Sequence, residues 1–380
     1  MKLRTALVAG VLTLAASGAN AVGAAAAPGG TDLPLAGTRT LHFPAAIGGA
    51  ERATARGPSL AAHSAEFRTI DVLGAASTLI NGVNNSGTLV GTWFTSQCAS
   101  SFGFVEDPGG QPTTFSFPGT TVTFPSSIND LGTTVGAFID NNGVPHGWVR
   151  SPGGNFTQLD DPAALGAGTV AFGINDPGVT VGFYLDPSNA SVMHGFAYEH
   201  GTFTTVDYPG AASTALGALN SAGAIVGFYT DAAGVYHGFV YEHGTFTPFD
   251  APGAGTSSGE GTFPVGISSN GLIDGQMIND SGGFGWLLGN GQFSSLNDPN
   301  AGPGQVSFPE SISSNGRYVP GYYGDSMCTS HGYVATLTPG GAVLNPATAG
   351  GMSRPAAGSE GGPRSATRGD RSVGETAQSG

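Results

Sequence analysis

Four histidines hold one recurring position in this sequence. His146, His194, His237 and His331 each precede a glycine, in PHGW, MHGF, YHGF and SHGY. Imidazole titrates near neutrality and ligates metals, so a ring of four would suit a metal centre or acid–base chemistry. Phe102 and Phe284 take the same position in SFGF and GFGW, and phenylalanine does neither. The position therefore reads as a packing and bonding site within each repeat. His200 and His243, in EHG, read as turn residues.

Aspartates recur with equal regularity. Asp140, Asp186, Asp231 and Asp325 lie six to eight residues before those histidines, and Asp71, Asp160, Asp207 and Asp250 close segments such as FTTVD and FTPFD. Two chemistries fit. One is a site for Ca2+, another hard cation or a cationic partner. The other is local, each carboxylate capping its own turn, which repetition favours. No stretch has the dense Asp-x-Asp-x-Asp-Gly order of a calcium loop; DNNG at Asp140 and DAAG at Asp231 are sparser. The expectation is no cofactor, with Ca2+ the one candidate. Gly-x-Ser-x-Gly, His-Glu-x-x-His and phosphate-loop motifs are missing from the sequence.

Function in a repeat fold tends to sit where the repeat breaks. The breaks are residues 251–265, 298–310 and 118–125, with the off-pattern charges Glu260, Glu310 and Arg317 nearby. The candidate ligand-binding residues are therefore Glu260, Glu310, Arg317, Asp140, Asp186, Asp231 and Asp325. Trp93, Trp148 and Trp286 would serve as sugar platforms if exposed, but each takes an apolar strand position and reads as core.

The elements that must position these residues repeat at long range. Segments ending in Val-Gly or its variants place Gly91, Gly136, Gly182, Gly227, Gly275 and Gly321 at intervals of 45, 46, 45, 48 and 46. The following segments place Gly103, Gly147, Gly195, Gly238, Gly285 and Gly332. In residues 213–250, apolar positions alternate and turns fall at NSAG, DAAG and EHG, which predicts four short antiparallel strands. A lone meander cannot bury both faces, and this period is close to that of propeller blades. The fold expected is all-β, a six-bladed β-propeller of four-stranded antiparallel blades. The third strand of a blade stands away from the axis, so the four histidines would not converge.

Phe-x-x-x-Asp or a variant begins at Phe67, Phe156, Phe203, Phe246 and Phe293, with a degenerate copy, FSFPG, at Phe115. The first copy precedes the first Val-Gly segment, and none follows Gly332. Six full sets exist only if residues 67–71 complete the last blade and close a ring, which also removes long unpaired edges. Cys98 and Cys328 are the two cysteines, in the same loop of the first and last repeats. A ring makes those repeats neighbours, so a Cys98–Cys328 disulfide is expected if the loops lean together, since the bond needs Cα atoms within about 7 Å.

Residues 1–21 have a basic start, an apolar run and Ala19-Asn20-Ala21, the pattern of a secretory signal; the run is shorter than the ~20 residues of a membrane span. Residues 22–65 read as a flexible linker or propeptide, 66–341 as the repeat domain, and 342–380 as a low-complexity tail whose Arg368-Gly369-Asp370 is a chance triplet. Net charge is −14, Lys2 is the sole lysine, and Arg68, Arg150 and Arg317 are the only arginines between residues 67 and 341. That excludes a nucleic-acid footprint and an anionic membrane surface as partners. A released, extracellular monomer is expected.

Units such as GINDPGVTVGFY followed by MHGFAYEHGTFTTVDYPGA resemble the HAF-type extracellular repeats of bacterial secreted proteins. The resemblance covers about residues 67–341 and is closest in repeats three and four. SSNG and the interruptions Asp274 and Pro320 depart from it in repeats five and six. It implies a secreted, propeller-like repeat protein and no particular activity. The function expected is a non-catalytic binding or interaction module for an extracellular ligand: a glycan, a cation or a cationic protein. The alternative is a hydrolase or lyase acting on a polysaccharide or peptide in the central channel.

Overall fold

The computed structural model describes residues 61–62, 65–95, 100–302, 305–327 and 329–337. Two strands come first, β1 (Ala61–Ala62) and β2 (Ala65–Ile70). One meander follows: β3 (Ser77–Val83), β4 (Leu89–Phe94), β5 (Ser101–Glu106) and β6 (Thr113–Phe115). The second is β7 (Thr123–Ile128), β8 (Thr134–Ile139), β9 (Pro145–Arg150) and β10 (Phe156–Leu159). The third is β11 (Thr169–Ile174), β12 (Thr180–Leu185), β13 (Met193–Glu199) and β14 (Thr202–Thr205). The fourth is β15 (Ser213–Leu219), β16 (Ile225–Thr230), β17 (Tyr236–Glu242) and β18 (Thr245–Phe249). The fifth is β19 (Gly261–Ile267), β20 (Ile273–Asn279), β21 (Gly282–Gly289) and β22 (Gln292–Ser295). Last come β23 (Ser307–Pro309), β24 (Tyr318–Gly324) and β25 (Ser330–Leu337).

Each meander is a four-stranded antiparallel sheet, and β2 lies at the edge of the last one in the order β2-β25-β24-β23. Its register runs from Ala65 opposite Leu337 to Ile70 opposite Gly332. A single bridge, Tyr236 to Gly261, joins the fourth and fifth sheets. β1, within the stretch expected to be a linker, pairs in parallel with Ser294 and Ser295 of β22. The predicted signal, both cysteines and the tail lie outside the described residues.

The sheets pack face to face as propeller blades, each first strand against the preceding sheet. Thus β7 meets β3 to β5, β11 meets β7 to β9, and β3 meets β24 and β25 of the last sheet. Second strands are covered on both sides, and every residue of β8 and β12 is buried. The Val-Gly glycines follow from this crowding. A Cβ on Gly227 would lie 2.3 Å from the Ala215 carbonyl oxygen and 2.7 Å from the Phe239 ring. Phe104, Trp148, Phe196, Phe239, Trp286 and Tyr333, one per sheet, each follow a third-strand glycine and are fully buried.

A hydroxyl staples each link to the strand it enters. Thr78, Thr123, Thr169, Thr214, Thr262 and Ser307 accept the N–H of Val72, Phe117, Asp161, Tyr208, Ala251 and Asp298 at 2.7–3.0 Å. At the opposite end, the first turns are tied to one another. The side-chain amides of Asn84, Asn129, Asn175 and Asn220 donate to the carbonyls of Asn129, Asn175, Asn220 and Ser268. Ser269 N–H continues the tie to Ser314, and Asn315 N–H donates to Asn85 Oδ1 at 2.7 Å. This girdle lines a shallow depression of about 50 Å3 that includes Asp130 and Asp176.

The degenerate fourth-strand copy sits three residues from its expected register. Phe115, rather than Pro118, pairs with Gly103, as Leu159 does with Gly147 and Phe249 with Gly238. Ser116 therefore takes the place of the closing aspartate. The reason is packing: Phe115 covers Gly103 and stands edge-on to Trp148, with Arg150 over its ring at 4.5 Å.

Candidate functional site

The histidine and aspartate repeats meet at one end of the sheets. In an antiparallel meander, the turn after the second strand and the link to the next sheet share an end. The glycine after each histidine brings them together: a Cβ on Gly147, Gly195 or Gly332 would strike the carbonyl of Leu159, Val206 or Ile70 at 2.4, 2.5 or 2.8 Å. With no side chain there, the fourth strand passes close, and the aspartate ending it reaches the imidazole. His146 Nδ1 lies 2.9 Å from Asp160, His194 Nδ1 2.7 Å from Asp207, His237 Nδ1 3.1 Å from Asp250, and His331 Nδ1 2.8 Å from Asp71.

The second ring nitrogen faces the other aspartate class. Nε2 of His146, His194, His237 and His331 stands 3.8, 3.4, 3.7 and 3.4 Å from Asp140, Asp186, Asp231 and Asp325. One face of each imidazole stacks on a second-strand aromatic, Phe138, Tyr184, Tyr229 or Tyr323, at 5.0–5.3 Å. Phe102 stacks on Trp93 at 4.7 Å in the first sheet, so phenylalanine keeps the stack and gives up the charge. Each Asp–His–Asp set belongs to its own sheet, and the four histidines do not converge. Among the described residues no group of three or more His, Cys, Asp or Glu side chains has a metal-holding arrangement.

The turn aspartates also cap their own loops. Asp140 and Asp231 accept backbone N–H groups two and four residues on, as does Asp325. The Ser188 hydroxyl, with the N–H groups of Ser188 and Asn189, holds the Asp186 carboxyl down to about 2. The N–H of Val235 and that of Thr329 lead in lowering Asp231 and Asp325. Partial burial works against ionisation of Asp140, but the Val144 and Asn142 hydrogen bonds and His146 outweigh it and lower its pKa. For His194 and His331, burial favours the neutral ring; Asp207 with Asp186, and Asp71 with Asp325, outweigh it and raise both pKa values.

The remaining candidates lie elsewhere. Glu260 is buried and accepts the Ser257 N–H at 3.0 Å, bracing the loop before β19. Glu310 directly follows β23 and accepts the Gln276 amide at 3.0 Å. Arg317 lies in the turn between β23 and β24, at the opposite end from the aspartates, with its guanidinium 5.1 Å from the Tyr318 ring. Trp148 and Trp286 are fully buried, and half-buried Trp93 donates to Thr114. The Asp–His–Asp loops hold none of the domain's arginines: Arg68 is within β2, Arg150 ends β9, and Arg317 is at the far end.

Sequence reasoning gave no role to Asp274, Gln276, Tyr322 and Tyr333. Asp274 is fully buried, with neither carboxyl oxygen bonded to another described residue. The signal was its interruption of Val-Gly.

No family model matches this sequence, and no curated protein matches it. Among solved structures, the lectin of Aleuria aurantia, described as a six-bladed beta-propeller, aligns at 12% identity with TM-score 0.47, over 74% of this chain and 100% of the lectin. AofleA from Arthrobotrys oligospora aligns at 13% identity and TM-score 0.43, over 75% of this chain and 89% of its own. TolB from Acinetobacter baumannii aligns at 14% identity and TM-score 0.45, over 57% of this chain; the match spans about half, 53%, of TolB.

Proposed function

We propose that this chain is a secreted, monomeric six-bladed propeller, closed by β2, that acts as a non-catalytic binding module. Its ligand is taken on the end carrying the Asp–His–Asp sets, and a cationic protein segment fits that end best. One observation carries the reading: eight aspartates sit there in four sets around partly buried histidines, while all three arginines of the domain lie off it. Such a surface attracts cations over roughly a Debye length, about 8 Å at physiological ionic strength. The pairing of β2 with β25, and the girdle's hydrogen bond from Asn315 to Asn85, support closure. Secretion and membership of the HAF-type repeats rest on the leader-like residues 1–21 and the quoted repeat units.

The test is binding of three probes to the mature chain: a lysine-rich peptide, Ca2+ and a glycan array. The peptide should bind, release with added salt, and bind more weakly at pH 5.5 than at pH 8 as His194 and His331, whose pKa values the aspartates raise, gain charge. Asp160→Asn, Asp207→Asn and Asp250→Asn together should weaken it. Peptide binding that ignores salt and these substitutions, or selective glycan capture alone, would overturn the cationic reading.

A further inference from the structure

The seam between the fifth and last sheets departs from the others in its chemistry. Val90, Val135, Val181 and Val226 fill one register of the second strands, and each is fully buried. In the first and third sheets that valine lies against a bulge glycine, with Val90 2.9 Å from a Cβ on Gly82 and Val181 3.1 Å from one on Gly173. The fifth sheet has Asp274 there, nearly isosteric with valine. Its Oδ1 lies 2.0 Å from where a Cβ on Gly266 would stand, and that same point is 2.7 Å from the Ile312 nitrogen of the last sheet. The carboxyl is thus wedged into the seam, 0% exposed, with both oxygens unpaired among the described residues.

The groups around it are all acidic or neutral. Glu310 directly follows β23, the last sheet's first strand, and the Gln276 amide donates to it at 3.0 Å and to the Pro309 carbonyl at 2.9 Å. Tyr322 on β24 is fully buried with an unpaired hydroxyl, Tyr333 on β25 is fully buried beside Ser307, and Asp298, in the link before β23, has Oδ2 unpaired. No basic side chain forms an ion pair with Asp274, Asp298 or Glu310 among the described residues. An isolated buried carboxylate costs far more than a buried neutral acid. Burial accordingly pushes Asp274 up to about 8. Glu310 keeps some accessible area, but the protein crowded around it decides its ionisation: burial first, then the charge of Asp274, raises it well above the ordinary range against the Gln276 hydrogen bond.

We propose that this seam is a proton-held latch: Asp274 and Glu310 keep the fifth and last sheets together while protonated, and loss of those protons loosens that seam first. The native state retains protons that the unfolded chain releases near pH 4. Stability from these groups is therefore complete at acid pH and is lost as pH rises toward 8. For each carboxyl held this way, the folding equilibrium constant falls up to about tenfold per pH unit in that window.

Urea unfolding of the full chain from pH 4.5 to 8.5 tests this, alongside Asp274→Val, which restores the residue of the other sheets. The wild type should lose stability across the range. Asp274→Val should be the more stable protein at pH 8, with a pH dependence smaller by about one proton. Subtracting the two removes the histidine contributions. Glu310→Gln should flatten the curve independently, and decides the matter if Asp274→Val does not fold. Amide exchange in β20 and β24, corrected for intrinsic rate, should quicken with pH in the wild type before the other sheets respond. Equal proton counts for wild type and variants, or uniform exchange, would overturn the latch. So would calcium that restores the wild type at pH 8 and leaves Asp274→Val unchanged, because the carboxyls would then hold a cation.

Discussion

At the scale of single residues, the repeat separates charge from shape. The histidine position accepts phenylalanine in two sheets: Phe102 keeps the stack on Trp93, and Phe284 stands opposite Met277, so the fold requires a ring there and not a charge. The charge is extra, and its contribution depends on pH. His194 has its folded pKa raised above the unfolded value, so its stabilisation is present below about pH 6.5 and fades as pH rises through the folded value. His194→Phe should therefore be near neutral at pH 8 and cost up to about 1 kcal/mol at pH 5, the upper range for partly exposed ion pairs. A deficit that is equal at both pH values in urea titrations would assign the role to packing alone. Gly227→Ala should behave differently. Its Cβ meets a backbone carbonyl and a fully buried ring, neither able to withdraw, so a loss of about 1–3 kcal/mol is expected at every pH. The recurrence of these residues was plain in the sequence. That His and Asp belong to one set was not, because the glycine that lets the fourth strand approach also recurs for packing.

At the scale of elements, strands and turns were legible because alternation and Asn/Gly turns survive in every copy. The register of β6 was not: FSFPG has the composition of a fourth strand, but Phe115 takes the place of Leu159, and only packing over Gly103 decides between alignments three residues apart. The joints between elements were also hidden. A threonine in a β-rich chain looks like strand propensity, yet Thr214, itself buried, accepts the Tyr208 N–H at 3.0 Å at a part-buried corner. Thr214→Val keeps the shape and removes the acceptor, and should cost about 1–3 kcal/mol, the penalty of an unmet buried donor. Asn175 carries two such duties, accepting the Val179 N–H in its own turn and donating to the Asn220 carbonyl of the next sheet. Asn175→Ala should cost at least as much as Thr214→Val. If thermal melts show neither variant destabilised, the corner and girdle bonds are incidental to the fold.

At the scale of the whole molecule, the sequence carried its clearest message in what was missing. Among the described residues the last repeat has no fourth strand of its own, and the spare one stands before the first. β2 pairs along β25, and two details resemble the other fourth strands: a Cβ on Gly332 would meet the Ile70 carbonyl, as those on Gly147 and Gly195 meet Leu159 and Val206, and the Val72 N–H is stapled to Thr78 as the other links are to theirs. His331 completes its set only with Asp71, from the other end of the domain. The proposed closure makes a prediction that a linear stack does not. A chain beginning at Val72 loses the buried Ile70, the Phe67–Tyr333 ring contact at 5.3 Å and the ladder along β25. Burial of Ile70 alone is worth about 1.5–3 kcal/mol, and the exposed edge adds unmet backbone groups. The melt should fall and broaden as the last sheet separates. A synthetic peptide of residues 61–72, added in trans, should bind the truncated chain and restore the transition, because it supplies the missing strand and Asp71 together. The same peptide with Ile70→Asp should not. A truncated chain that melts like the parent would remove β2 from the architecture and leave the sheets an open stack.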